Sequence, residues 1–235
     1  MADTTFRPFD TDLDRETALA RLRQAVAGPD DGELFLERRQ SETIVFDDGR
    51  VRTASYDASA GFGLRAVRGE TAGYAHSTEI SEPALRRAVE TARLAVGDGG
   101  GTLADAPQPT NTRLYTDHNP MDDVTFPVKI ETLREIDAFA RDLDPRVVQV
   151  SATIAASHQE VVILRPDGTE VTDIRPMTRL NVGVIVEQDG RRESGGAGGR
   201  LAQPFQGEIA VEGGLERAER GVTHGVVLVT GGAKT

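Results

Sequence analysis

Histidine is the first residue type to consider for chemistry, because it binds metal ions and moves protons near neutral pH. The chain has four histidines and no cysteine. No two histidines lie four residues apart and none is followed by glutamate, so the spacing of a zinc-binding HExxH helix is absent. His158 and Glu160 echo that motif in a strand-and-turn context, and we interpret His158 as a solvated hairpin residue.

The residue types also give no support for nucleophilic catalysis. No serine lies in a GxSxG elbow, and the lack of cysteine leaves no thiolate. The glycine-rich run 195–200 lacks the GxxxxGK[ST] pattern of a phosphate-binding loop, and we interpret it as a mobile loop. Residue types and spacing alone therefore predict no active site.

The charge balance limits the classes of binding partner that we expect. Lys plus Arg number 27 and Asp plus Glu number 38, which gives a formal net charge of −11 over 235 residues. Nucleic acids and anionic lipid surfaces need clustered basic residues, so we expect neither as a partner. The first residues, MADTTFRPFDTD, lack the basic start and apolar core of a secretory signal, which predicts a cytoplasmic protein.

Three segments have the apolar spacing of helices, and the strands lie between them. The helices are predicted at 14–27, at 81–97 with Ser81 as N-cap, and at 127–143. The predicted buried face of the second helix consists of Leu85, Ala88, Val89, Ala92 and Val96, and that of the third consists of Leu133, Ile136, Phe139, Ala140 and Leu143. Apolar residues elsewhere alternate with a period of two, and turns are predicted at Asp-Gly pairs and at other Gly-containing positions. Strands are predicted near 33–39, 42–47, 50–56, 61–67, 71–77, 146–157, 160–165, 169–174, 179–187 and 190–194.

Successive hairpins with helices before or after them predict an α+β fold, with antiparallel sheets and packed helices in two layers. The order of one helix followed by five short strands occurs twice, which is consistent with a duplicated unit. The predicted division is a first α+β domain at 1–98, a linker at 99–125, a second α+β domain at 126–200 and a divergent tail at 201–235.

Several of these hairpin segments also resemble the TldD/PmbA metallopeptidase family. The resemblance covers about residues 33 to 200. In the first domain it is carried by SETIVFDDGR at 41–50, TASYD at 53–57, GFGLRAV at 61–67 and GYAHS at 73–77. In the second domain it is carried by PVKI at 127–130, RLNV at 179–182, RRESG at 191–195 and GGR at 198–200.

The resemblance implies a cytoplasmic zinc metallopeptidase that cleaves unfolded or flexible peptides together with a PmbA/TldE-like paralogue. In the family, an HExxxH helix and a later cysteine bind zinc in a third, C-terminal domain. The two domains present here would wall a narrow substrate channel and help to assemble the oligomer, with the paralogue or with further copies of the chain.

This chain has no counterpart of the family's catalytic or metal-binding residues, so none is predicted. Zinc is expected only in a full-length family member. After Arg200 the chain stops resembling the family, which favours a shortened reading frame over a natural two-domain protein. We therefore expect the non-catalytic part of a TldD-like protease, inactive alone, and its status as an enzyme stays open.

Two alternatives remain beside that prediction. The chain could be a stand-alone peptide-binding module that adds an extended peptide to a sheet edge. Arg191, Arg192, Glu193 and Ser194 are the predicted substrate-binding residues, although an ordinary charged hairpin end would have the same composition. The chain could also be a regulatory subunit that joins a TldD or PmbA homologue.

Overall fold

A computed structural model describes residues 6–27, 31–97, 116–122, 124–201, 209–214 and 226–231. The helices in these ranges are α1 (Pro8–Thr11), α2 (Arg15–Ala25), α3 (Glu82–Val96) and α4 (Phe126–Leu143). The strands are β1 (Asp31–Asp47), β2 (Arg50–Arg68), β3 (Thr71–Ser77), β4 (Val147–Leu164), β5 (Glu170–Gln188), β6 (Arg191–Leu201), β7 (Ile209–Gly214) and β8 (Val226–Gly231).

Six strands form one antiparallel sheet in the order β3-β2-β1-β4-β5-β6, and β7 pairs with β8 in a second sheet. The predicted α+β fold is confirmed. Along the chain, the order of one helix, two long strands and one shorter strand occurs twice, first as α2-β1-β2-β3 and then as α4-β4-β5-β6. The sheet order is symmetric about its two central strands, β1 and β4.

The long strands correct the prediction of short ones. Pairs of strands predicted on either side of residues 40–41, 57–60, 158–159 and 175–178 are each one continuous strand. The alternation of apolar residues is interrupted at these places by charged and polar side chains. Because the ladder hydrogen bonds use the backbone, the strands continue through such residues wherever a neighbouring strand supplies partners.

The hairpin turns lie where the Asp-Gly pairs predict them. Asp48 and Gly49 between β1 and β2 have φ values of 49° and 76°, and Asp189 and Gly190 between β5 and β6 have values of 52° and 77°. Positive φ at both central residues is the geometry of a type I′ turn, which matches the twist of an antiparallel pair. Each pair of residues therefore fixes the register of the strands it joins.

Helix α3 begins and packs as its sequence predicts. The Ser81 hydroxyl accepts a hydrogen bond of 3.3 Å from the Ala84 amide, which satisfies one of the free amides of the first turn. Gly73 of β3 lies so close to this helix that a Cβ there would be 2.2 Å from the Ala92 carbonyl oxygen. The close packing of α3 on β3 therefore requires glycine at position 73.

The described chain divides into two compact units, and each long strand contributes one part to each unit. Unit 1 contains residues 1–39, 58–114 and 159–174, and unit 2 contains residues 40–57, 115–158 and 175–235. The sequential division into domains at 1–98 and 126–200 stays a prediction. Among the described helices, none combines the length and the apolar composition that a membrane-spanning helix requires.

Helices α2 and α3 supply much of the core of unit 1, together with the parts of β1, β2 and β4 that belong to it. Its fully buried large side chains include Leu22, Leu34, Leu64, Leu85 and Leu164. A short N-terminal segment is held on this unit by polar contacts: Glu160 accepts a hydrogen bond of 2.8 Å from the Phe6 amide and pairs with Arg38 at 2.6 Å.

Helix α4 packs in the core of unit 2. Leu133 packs there with Ile44 and Phe46 of β1 and Val150 of β4. The predicted inward face of α4 is correct for its buried members Leu133, Ile136 and Ala140. It is wrong for Phe139 and Leu143, which are exposed because the helical period places them at the margin of the buried face. The buried face also includes Lys129 and Asp137.

Candidate functional site

The four predicted substrate-binding residues lie together at the beginning of β6. Arg191, Arg192, Glu193 and Ser194 directly follow the Asp189-Gly190 turn, and all four side chains are exposed. In the sheet register they lie opposite the last residues of β5, from Gln188 to Ile185. Strand β6 is the last strand of the six-stranded order, so they lie on an edge strand.

The charges of this segment are paired within it and with β5. Arg191 Nη2 lies 2.6 Å from Glu193 Oε1, and Arg192 Nε lies 2.7 Å from Glu187 Oε2. These pairs are largely exposed, and exposed pairs contribute little to stability because water and salt screen them. A ligand carboxylate could therefore replace a paired carboxylate at small cost.

The glycine-rich run that follows is a strand, which corrects its interpretation as a mobile loop. Residues 195–199 continue β6 and pair with Val184 to Leu180 of β5. At Gly198 a Cβ would lie 2.3 Å from Asn181 Oδ1, so glycine lets the two strands approach at that point. Strand β8 lies near β6 in the same unit.

The interpretation of His158 as a solvated hairpin residue is wrong. His158 and Glu160 are buried, with exposed fractions of 6% and 4%, and both lie within the continuous strand β4. His158 Nε2 is 3.4 Å from the Asp117 carbonyl oxygen. The sequence signal that could have found this burial is their even-numbered position, which they share with the buried apolar residues Val150, Ala152, Ile154 and Ala156.

A buried ion pair in unit 2 was not predicted from the sequence. Lys129 of α4, only 6% exposed, places its Nζ 2.5 Å from Glu42 Oε1 of β1. The same ammonium donates to the Met121 carbonyl oxygen at 3.4 Å. These contacts join the segment before α4 to the helix and to β1, and they satisfy a charge that would otherwise be buried without compensation.

A second polar network lies toward the end of α4. Arg141 donates to Asp137 at 3.0 Å and to Asp48 of the β1–β2 turn at 2.5 Å. These hydrogen bonds, the one to Asp137 most, raise the pKa of Arg141 above its ordinary value. Beyond the helix, hydrogen bonds from Arg146 lower the pKa of the Asp144 carboxyl. The Lys129 and Arg141 networks both join α4 to neighbouring segments, and neither includes a predicted site residue.

The described residues do not fit a zinc ion. In the described ranges, no three His, Cys, Asp or Glu side chains are grouped so that they could hold a metal. The exposed His76 and His118 lie in different compact units. No hydrolytic step is assigned to these residues.

Models of known protein families match two successive segments of the chain. Residues 32–96 match the PmbA/TldA metallopeptidase domain 1, and residues 119–221 match the PmbA/TldA metallopeptidase central domain. The chain belongs to the PmbA/TldD metallopeptidase family. The central-domain match continues past Arg200 to residue 221, so it includes part of the tail that is predicted to diverge from the family.

Two curated relatives carry the name metalloprotease TldD homolog. The protein from Haemophilus influenzae is 35% identical over 186 residues, which are 77% of this chain and 38% of the relative. The protein from Buchnera aphidicola of Acyrthosiphon pisum is 32% identical over 171 residues, which are 72% of this chain and 35% of the relative. The chain therefore spans little more than a third of the length of these relatives.

A solved structure has the same fold. TldE from Thermococcus kodakarensis superposes with a TM-score of 0.62 and 14% sequence identity, over 80% of this chain and 43% of the TldE chain. At this identity the likeness concerns the fold alone. It supports the α+β fold of the six-stranded sheet with its helices.

Proposed function

We propose that this chain serves proteolysis of flexible peptides as the non-catalytic part of a TldD-like metalloprotease. The observation that carries the proposal is the ordered match to domain 1 and the central domain of the family, together with relatives named metalloprotease TldD homolog. The described residues offer no zinc-binding group, so peptide cleavage is assigned to a zinc site outside them. Their own contribution is to bind peptide and partner.

The proposed peptide site is the beginning of the edge strand β6. An extended peptide can add to such an edge through main-chain hydrogen bonds, which requires no particular peptide sequence. Arg191 and Arg192 supply positive charge, and Glu193 and Ser194 supply acceptors, at the end of the strand nearest the turn. Their exposed ion pairs can open when a charged peptide group arrives.

The proposed partner is a TldE-like paralogue or a second copy of this chain. The likeness of the fold to TldE supports this proposal, because the chain matches relatives named TldD homolog in sequence and a protein named TldE in fold. The alternative function is a stand-alone peptide-binding or regulatory subunit without enzymatic activity. The exposed edge site favours it equally, because β-strand addition needs no catalytic group.

Peptide hydrolysis and zinc content test the non-catalytic role of the chain. The purified 235-residue chain is incubated with fluorescein-labelled β-casein, with and without a TldE-like paralogue, and zinc is measured by mass spectrometry. We expect no hydrolysis and no stoichiometric zinc for the chain alone. Cleavage by the chain alone, with one zinc per chain, would overturn the assignment of a non-catalytic role.

Peptide binding tests the β6 site by itself. Fluorescence anisotropy of labelled β-casein is measured with the wild-type chain, with the double variant Arg191→Ala/Arg192→Ala, and with Arg87→Ala as a control. Arg87 is also an exposed, ion-paired arginine, but it lies on α3. We expect the double variant to weaken binding about tenfold and the control to bind as the wild type does. Equal binding by all three chains would remove β6 as the site.

A further inference from the structure

The hydrogen bonds of the β5–β6 hairpin determine which main-chain groups of β6 face the open edge. In a hairpin with a two-residue turn, the residues that flank the turn exchange two hydrogen bonds, and every second opposed pair does the same. Gln188 and Arg191 flank the turn and are opposed in the register. Glu187 fits this pattern, because its amide points away from β6 and donates to the Arg146 carbonyl oxygen at 2.8 Å.

This alternation divides β6 into two sets of residues. One set directs its amides and carbonyls toward β5 and consists of residues 191, 193, 195, 197 and 199. The other set directs them to the edge and consists of Arg192, Ser194, Gly196 and Gly198. In the part of the chain that the structure describes, no strand pairs with this edge, since the nearby β8 pairs with β7. Only the second set can therefore hydrogen-bond to an added strand.

The residues of this second set also share one face of the sheet. Val182 of β5 packs in the core of unit 2 with α4, so its neighbour Gly183 lies on the face away from that helix. Opposed residues of an antiparallel pair lie on the same face, and Gly196 is opposite Gly183. Neither residue has a side chain, and Gly196 is exposed. The layer of side chains on this face therefore has a gap that spans two strands.

A positive charge lies on the same face at the turn end of β6. Arg192 is opposite Glu187, and its Nε is 2.7 Å from Glu187 Oε2. Because the Arg192 side chain is 69% exposed, a carboxylate from a ligand can compete for it at small cost. Arg192 and Gly196 are four residues apart, which corresponds to about 13 Å along a strand. Only the small side chain of Ser194 lies between them on this face.

We propose that the β6 site selects extended peptides in which an aromatic residue is followed, four residues later, by a carboxylate. The proposal rests on the proposed function, since it specifies the class of peptide for the same site. In antiparallel addition, the peptide residue opposite Gly196 exchanges two hydrogen bonds with it, and the residue four positions later lies opposite Arg192. An aromatic ring at the first position covers the main chain of Gly196 and Gly183, as aromatic neighbours of strand glycines do.

Fluorescence anisotropy with synthetic peptides and the wild-type chain tests the side-chain pattern. The probe is a labelled peptide of serine and threonine that contains phenylalanine and, four residues later, glutamate. Replacing phenylalanine by glycine, or glutamate by glutamine, should raise the Kd about tenfold. A peptide with the two residues three positions apart presents them on opposite faces, so it should bind as weakly as the glutamine peptide. Equal binding of all these peptides would overturn the proposal.

Methylation of single peptide amides tests the main-chain register. The amide of the phenylalanine should donate to the Gly196 carbonyl oxygen, so methylating it should raise the Kd about tenfold. The amide of the next peptide residue points away from β6, and methylating that one should change the Kd less than about twofold. Equal losses from the two methylated peptides, or a larger loss from the second, would overturn the assigned register and the proposal with it.

A substitution in the gap assigns the preference for an aromatic residue to Gly196. Gly196→Val fills the gap, and it should remove the tenfold difference between the phenylalanine and glycine peptides. Gly199→Val is the matched control, because a Cβ at Gly199 meets no atom within 4 Å and lies on the other face of the same strand. It should keep the difference. A difference that persists in Gly196→Val would overturn the assignment, and circular dichroism checks that both variants are folded.

The failure of this proposal is distinguishable from the failure of the proposed function. If the synthetic peptides bind without preference while Arg191→Ala/Arg192→Ala still weakens casein binding, the peptide pattern is overturned and the β6 site is retained. If the wild-type chain binds neither casein nor any synthetic peptide, both proposals are overturned. The methylated peptides are tested on the wild-type chain, so their result holds even if Gly196→Val does not fold.

Discussion

Helix α3 packs in the core of unit 1 and helix α4 in the core of unit 2, but the two helices differ in their buried side chains and in their N-caps. The predicted apolar face of α3, Leu85, Ala88, Val89, Ala92 and Val96, is entirely buried, and its N-cap serine bonds to the helix. Helix α4 buries Lys129 and Asp137 beside its apolar residues, and its N-cap Thr125 makes no side-chain cap bond. The buried face of α3 is therefore apolar throughout, whereas the buried face of α4 also contains polar side chains that need partners.

The largest expected effect tests the apolar packing of α3. Leu85 is fully buried, and Leu85→Ala should lower the free energy of unfolding by about 3 kcal/mol, because it removes buried methyl groups and leaves a cavity. Leu94→Ala on the same helix is the control, since Leu94 is 84% exposed and should change stability by less than about 0.5 kcal/mol. Urea unfolding followed by circular dichroism measures both. Similar losses would show that packing does not distinguish the two positions.

The next effect tests the buried ion pair of α4. Lys129→Met should lower the free energy of unfolding by about 2–3 kcal/mol, because Glu42 remains largely buried without its partner. The double variant Lys129→Met/Glu42→Leu removes both charges and should recover most of that loss. The same urea experiment provides the measurement. If the double variant is as unstable as the single one, the loss comes from packing and the contrast between the helices is weaker.

A smaller effect compares the two helix starts. Ser81→Ala should cost about 1 kcal/mol, because the Ala84 amide loses its acceptor. Thr125→Ala should have almost no effect, since the Thr125 hydroxyl makes no cap bond. Thermal unfolding of the two variants side by side is sufficient. A larger loss at Thr125 would contradict the assignment of the caps.

The smallest effect concerns pH and the turn after α4. Hydrogen bonds from Arg146 lower the pKa of Asp144 in the folded chain, so its carboxylate contributes stability above the pKa of the unfolded chain. That contribution is lost as the pH falls through the folded pKa. Asp144→Asn should cost less than about 1 kcal/mol at pH 7, and the difference should shrink below about pH 4. A difference that stays constant with pH would exclude the ionised carboxylate as its cause.

The difference between α3 and α4 also explains which parts of the fold could be predicted from the sequence. Hydropathy spacing predicted α3 and its buried face, and the Asp-Gly pairs predicted the turns, because these signals are local. The same spacing misplaced Phe139 and Leu143 on α4. It also gave no sign that Lys129 is buried, because Lys129 pairs with Glu42, which lies 87 residues earlier in the chain. The long strands were predicted as shorter ones for a related reason: partners distant in the sequence keep the ladder continuous through polar residues.

For the candidate site too, local sequence signals predicted one part of the structure and missed another. The Asp189-Gly190 turn predicted a hairpin before Arg191, and the structure has one there. The strand character of the glycine run depends on its pairing with β5, and composition alone favoured a loop. That Arg191, Arg192, Glu193 and Ser194 bind a substrate stays a prediction.

The pairing of β1 with β4 has a consequence for the time course of folding. Arg38 meets Glu160 in unit 1 and Asp47 meets Gln149 in unit 2, across 122 and 102 residues of chain. The hairpins β1–β2 and β4–β5 close over short turns and can form early, but neither unit is complete until the two central strands meet. Closing such long loops is slow, so the last step sets the rate, and until then both central strands expose edges that invite misassembly.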